Sequence, residues 1–286
     1  MKKLVTLLIC LLFFNTVQAS SNCYEEFKCP EETGLTSSYS RFFSNLTGNK
    51  FLAEKIAQAI IKKNIKKTAQ GDFSVKIKSY SATDMKAGRF KSFELNGKDV
   101  NFEGIYLSEF NLKTICDFNY INLDKDWNMT VVNNLPMTFD LTITDADLNK
   151  TMSTEEYTRV LNDINMLGSG LFTIESSELR IKNDKIYYIL KYAIPFVRKP
   201  QEVVISAGLT VKNGDIRFAD ARILNKDFKL KAEKLSSVLN YINPLDFSVK
   251  ILENKDARLN IKDVSIADNK ITVDGTVILL KDIIKE

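Results

Sequence analysis

The chain has 286 residues, with 40 Lys and Arg against 36 Asp and Glu, four cysteines and no histidine. The missing histidine excludes the Ser–His–Asp triad, the Cys–His dyad and histidine-based metal catalysis. A formal charge of +4 gives no nucleic-acid signal. Catalysis by carboxylates or lysine stays open, but nothing in the sequence singles out a carboxylate pair, so the expectation is a protein that is not an enzyme and needs no cofactor.

The elements follow in chain order. Residues 1–19 read as a secretory signal peptide: Met1-Lys2-Lys3 is basic, Leu4 to Phe14 is apolar, and Val17 and Ala19 stand where a signal peptidase reads. The segment is short for a bilayer span. It predicts cleavage near Ala19 and export to the periplasm or cell envelope. Residues 20–47 are rich in Ser, Thr and Glu and read as a loose N-terminal segment. Cys23 and Cys29 lie close enough in sequence to pair in an oxidising compartment. Residues 48–286 read as a single domain.

A helix is expected over 48–68. Phe51, Leu52, Ile56, Ala59 and Ile60 line one face, and lysines 50, 55, 62, 63, 66 and 67 lie opposite. Those lysines meet either water or anionic lipid head groups, which would give peripheral contact with a membrane surface. From Gly71 the pattern is strand after strand. Asn96-Gly97, Asn183-Asp184, Asn213-Gly214 and Asp268-Asn269 mark tight turns between alternating segments. Strands are expected near 73–82, 88–95, 99–118, 171–182, 185–194, 202–212, 215–224, 247–252, 257–266 and 270–280. Cys116 falls in an apolar strand and reads as a buried thiol.

The most regular stretch is 129–143, where Met129, Val131, Leu135, Met137, Phe139, Leu141 and Ile143 occupy odd positions. Fully extended it would cover about 50 Å at roughly 3.3 Å per residue, so it breaks near Asn133-Asn134 or the sheet is unusually long. A helix is expected near 154–166, with Ser153 and Glu156 as a capping box. Asp145 to Glu156 places oxygen-bearing residues at the spacing of a calcium loop. Lys150 stands where that loop needs glycine, and a strand precedes it, so no metal site is assigned.

The hexapeptide Asp-Phe-Ser-Val-Lys-Ile occurs at Asp72–Ile77 and again at Asp246–Ile251. Each copy alternates as a half-buried strand does. Each follows a helical pattern, the second carried by Leu235, Val238, Leu239 and Ile242 and stopped by Asn243-Pro244. Two copies of one helix–strand unit are therefore expected.

Several segments together carry a family resemblance. They are Gly71-Asp-Phe-Ser-Val-Lys-Ile, Gly88-Arg-Phe-Lys-Ser-Phe-Glu-Leu-Asn-Gly-Lys-Asp-Val, Gly104-Ile-Tyr-Leu-Ser, Thr142-Ile-Thr-Asp-Ala-Asp-Leu-Asn, Ile261-Lys-Asp-Val-Ser-Ile and Ile271-Thr-Val-Asp-Gly-Thr-Val. This order resembles the LmeA-like family of bacterial envelope proteins, over about residues 48–280. The resemblance implies a non-catalytic, phospholipid-binding protein. It also implies a β-rich α+β fold of the tubular lipid-binding kind: a long curled antiparallel sheet wrapping one or two amphipathic helices. It places Asp147-Leu148-Asn149 at a helix start, where the acids serve as caps. Candidate positions against an acyl chain are Ile56 and Ile60 on the first helix, Leu135, Met137, Phe139 and Leu141 in the alternating run, and Leu235, Leu239 and Ile242 on the later helix. A structural or adhesive envelope protein that binds a protein partner is the alternative.

Overall fold

The computed structural model describes residues 28–123, 129–167, 173–224, 239–240, 242–250 and 256–281. The signal segment 1–19, Cys23, Leu235 and Val238 lie outside the described residues. Six helices are described: α1 (Ser38–Leu46), α2 (Asn49–Ile65), α3 (Ala82–Lys86), α4 (Asp145–Met152), α5 (Glu155–Leu167) and α6 (Pro244–Lys250). The strands are β1 (Ala69–Ser79), β2 (Arg89–Phe102), β3 (Ile105–Thr114), β4 (Asn119–Leu123), β5 (Met129–Val131), β6 (Leu135–Thr144), β7 (Thr173–Lys182), β8 (Lys185–Ala193), β9 (Gln201–Lys212), β10 (Asp215–Ile223), β11 (Ala257–Ala267) and β12 (Lys270–Leu279).

They form an eight-stranded sheet and a four-stranded one, antiparallel throughout. The larger sheet runs β1-β2-β3-β6-β12-β11, with the β4–β5 ribbon attached at the start of β2. The smaller runs β10-β9-β8-β7, and its β9 and β10 lie near β11. Both sheets contribute to one hydrophobic core. The β-rich α+β architecture agrees with the sequence reading.

The alternating run does break where it had to. β5 ends at Val131, and β6 starts at Leu135. Three of the four expected turns are hairpin turns with both residues at positive φ: Asn183-Asp184, Asn213-Gly214 and Asp268-Asn269. Asn96-Gly97 is a correction. β2 passes straight through it, and Gly97 pairs with Phe73 on one side and Phe110 on the other. A Cβ on Gly97 would stand 3.1 Å from the Phe73 ring and 2.6 Å from Val100, so glycine serves packing here, not turning. The reversal comes instead at Glu103-Gly104, with φ of 47° and 92°.

The repeated hexapeptide is the second correction. Asp72–Ile77 lies in β1, with Phe73, Val75 and Ile77 buried and Ser74 exposed. Residues 246–250, expected as a strand, lie in α6. Asn243 and Pro244 start a helix there. The Asn243 side chain accepts from the Leu245 N–H at 3.1 Å and donates to the Ile216 carbonyl at 2.9 Å. Pro244 takes the first helical position, where its missing N–H costs nothing. Ser248 then donates to the Pro244 carbonyl at 2.8 Å, and Leu245, Ser248 and Val249 are fully buried.

The N-terminal segment is a third. Cys29 is bonded to Cys116, not to Cys23, and Cys116 lies just past the end of β3. Residues expected to be loose are strapped to the body. Glu32 accepts from the Tyr80 hydroxyl at 3.1 Å, and Thr36 donates its N–H and hydroxyl to Asp84 at 2.8 and 2.7 Å. The segment then forms α1, capped by the Ser37 side chain.

Candidate functional site

The larger sheet has one apolar face. Its rows run across strands: Phe110, Leu141 and Val273 stand abreast, as do Leu112, Phe139 and Gly275, then Thr114, Met137 and Val277. The expected positions Leu135, Met137, Phe139 and Leu141 are all buried here, as are Leu239 and Ile242. The structure gathers these six into one core with Leu148 and Met152 of α4 and Leu245 and Val249 of α6. The smaller sheet adds Leu179, Ile186, Ile205 and Ile216 to the same core. Within that core the Tyr157 hydroxyl of α5 donates to the Ile242 carbonyl at 2.6 Å and lies 3.1 Å from the Tyr188 hydroxyl of β8. Burial pushes the Tyr188 phenol up to about 12 and raises Tyr157 as well.

The opposite face of the sheet is polar. A shallow, open depression of about 310 Å³ lies there, lined in part by Glu94, Asn96, Asn111, Lys113, Thr138 and Asp140. Glu94 is 3.9 Å from Lys76 and 3.8 Å from Lys113, so its charge is already matched. Asp140 and Asp274 stand directly opposite each other, and Asp274 opposes Asp263. Burial, then Asp263 and Asp140, hold the Asp274 carboxyl above the usual carboxylate range.

Ile56 and Ile60 behave differently from the other expected positions. Ile56 is 52% exposed and Ile60 half-buried, although Ile65 at the end of α2 is fully buried. The exposed apolar surface extends onto α1. Tyr39, Phe42, Phe43 and Leu46 recur at one-face helical spacing and are 73%, 61%, 42% and 70% exposed. Tyr39 and Phe43 rings are 4.6 Å apart, and Phe42 meets Phe43 edge-on at 5.8 Å. The polar side of α1 faces the protein: Ser44 accepts from the Ala82 N–H at 2.9 Å. Sequence reasoning passed over α1, although its apolar spacing was legible.

Residues 145–156 form no cation loop. They are divided between α4 and the start of α5, with Thr144 and Asp147 making a reciprocal capping box. The Asp147 carboxylate also accepts from the Ser108 hydroxyl. The α5 turn is entered through Thr154, whose hydroxyl accepts from the Tyr157 N–H, and not through Ser153. Among the described residues no group of three or more metal-competent side chains exists, and no helix is long and apolar enough to cross a membrane.

The sequence profile described as LmeA-like phospholipid-binding matches residues 48–276. No curated protein and no solved structure gives a significant match.

Proposed function

The chain belongs to the LmeA-like phospholipid-binding family, and from that membership we propose that it binds and carries phospholipid in the bacterial cell envelope, without covalent chemistry. The observation that carries the reading is the family match itself, spanning nearly all of both sheets. The broad apolar face of the larger sheet supports it. An acyl chain laid along that face gains about 25 cal/mol for each Å² of apolar surface removed from water. Helix α4 packs on β3 and β6 of that face, and Leu239, Ile242 and α6 join the same core; in this reading they part around an elongated cavity lined by Leu135, Met137, Phe139, Leu141, Leu239 and Ile242.

Export to the periplasm or envelope completes the proposal. It rests on the signal-like residues 1–19 and is supported by the Cys29–Cys116 disulfide, a bond that persists in oxidising compartments. Lipid would be exchanged by peripheral contact with a membrane surface. The test is native mass spectrometry of the protein purified from its own envelope, followed by organic extraction. Stoichiometric phospholipid is expected. A protein that is empty and takes up no lipid from vesicles would overturn the reading in favour of a module that binds a protein partner.

A further inference from the structure

Helix α1 is inside out. A surface helix of a soluble protein turns its apolar stripe to the core and its polar face to water. Here Ser44 bonds to the body, while Tyr39, Phe42, Phe43 and Leu46 face solvent. Phe51 and Leu52, at the start of α2, extend the same apolar character at 63% and 59% exposure. Monomeric proteins rarely leave so large an apolar patch uncovered without a binding role. The patch is also firmly placed. The Cys29–Cys116 bond and the Thr36–Asp84 hydrogen bonds fix the segment leading into it, and Gly48, at φ of 72°, makes the bend between α1 and α2.

The charge carried by the elbow's own residues 37–53 has one sign. Residues 33–53 contain no acid. Glu54, which follows, turns inward to accept from the Ser79 N–H and hydroxyl at 2.7 and 3.1 Å. Arg41 acts on Asp84 on the body side. That leaves Lys50 and Lys55 beside the aromatic residues, with the Lys55 ammonium 5.4 Å from the Phe51 ring centroid. Aromatic residues that enter the head-group region, flanked by lysines that meet lipid phosphate, are the makeup of an interfacial helix. A second copy of the chain fits less well, because pairing like faces would set these lysines against each other.

We propose that the α1–α2 elbow is the surface by which this protein docks onto an anionic phospholipid bilayer, with Phe42 and Leu46 inserted and Lys50 and Lys55 at the head groups. The proposal builds on the phospholipid reading but does not follow from the family, whose matched residues begin at 48, after α1.

The test uses the purified exported protein and two kinds of vesicle, phosphatidylcholine alone and phosphatidylcholine with about 30% phosphatidylglycerol. Co-sedimentation with the anionic vesicles is expected, weakened by salt. The double variant Phe42→Ser, Leu46→Ser should lower it about tenfold or more at unchanged melting temperature. Lys50→Glu with Lys55→Glu should abolish the preference for anionic vesicles. A Phe42→Trp variant should shift its emission to the blue when those vesicles are added. Undiminished sedimentation of the Ser variant, or an unshifted tryptophan, would overturn the proposal. So would a change confined to oligomeric state, which would mark the patch as a self-interface. Native mass spectrometry of the same samples separates the two readings. Bound lipid with vesicle binding insensitive to Phe42 and Leu46 overturns only the docking surface. Phe42-dependent vesicle binding by a lipid-free protein upholds docking and overturns only carriage.

Discussion

Phe139 on β6 lies directly opposite Gly275 on β12, and a Cβ at Gly275 would stand 2.7 Å from the tip of its ring. The bare glycine lets the ring lie across the strand, so one aromatic side chain fills the space of two positions. The same arrangement joins Phe73 and Gly97 at β1 and β2. Two strand pairs of the sheet, β6–β12 and β1–β2, are thus pinned in register by an aromatic set against a glycine.

Gly275→Ala should therefore destabilise the protein by about 2 kcal/mol or more, since the added carbon would also press to 2.2 Å from the Asn260 carbonyl. Phe139→Ala should cost about 3–5 kcal/mol by leaving a cavity. Urea unfolding of each variant measures both, and a neutral Gly275→Ala would show that the ring is not held against the strand.

Reduction of the Cys29–Cys116 bond, or Cys116→Ala, should lower stability by about 4.6 kcal/mol in the chain-entropy view, because the bridge joins residues 87 apart in sequence. Non-reducing peptide mapping should recover a linked peptide containing Cys29 and Cys116. A Cys23–Cys29 peptide in its place would contradict the connectivity.

Two aspartates should respond to pH in opposite senses. Burial works to raise the Asp84 carboxyl, but hydrogen bonds from Ser81 and Thr36 outweigh it and hold it below the usual range. Its stabilisation is present above the unfolded-state value and is lost as pH falls through the lowered one. Asp84→Asn should therefore weaken the protein at neutral pH, with the difference closing in acid. Asp274 is raised, so the stability that it contributes in acid is lost as pH rises through its elevated value. Asp274→Asn should stabilise the protein at neutral pH by about 0.5 kcal/mol, the scale of one cross-strand like-charge pair, with no gain in acid. Melting curves from about pH 3 to 8 separate the two.

Ser74 and Ser248 occupy the same place in the two hexapeptides but opposite environments. Ser74 is exposed on a strand, whereas Ser248 is fully buried on a helix with its hydroxyl on the Pro244 carbonyl. Ser74→Val should change stability by less than about 0.5 kcal/mol. Ser248→Val should cost about 1–3 kcal/mol through overpacking and a lost hydrogen bond. Chemical denaturation of the pair decides it, and equal effects would mean the two copies share one conformation.

What the sequence disclosed was local and periodic. The alternation of β6, the hairpin turns at Asn183-Asp184, Asn213-Gly214 and Asp268-Asn269, and the span of α2 follow from spacing and turn chemistry. What it concealed was set by distant neighbours. Asn96-Gly97 has the composition of a turn, yet Phe73 and Phe110 arrive on either side and keep it in the sheet. Cys29 has Cys23 six residues away, yet its partner is brought by the fold from 87 residues on. Of the candidate lipid positions, burial set Leu135, Met137, Phe139, Leu141, Leu239 and Ile242 apart from the exposed Ile56. The sequence pattern had grouped them together, because periodicity reports which residues share a face and not what lies against it.

The twice-used hexapeptide also bears on how this chain reaches its fold. The string Asp-Phe-Ser-Val-Lys lies in a strand at 72–76 and in a helix at 246–250, so the second copy is an internal decoy for the edge position that β1 takes beside β2. Segment 246–251 could compete for that edge before the core closes. Pro244 and the Asn243 cap just upstream favour helix before any long-range contact forms, and a nascent α6 offers no row of free strand hydrogen bonds to β2. Those two residues act as a proofreading signal, keeping one word of the sequence from being read in the wrong place.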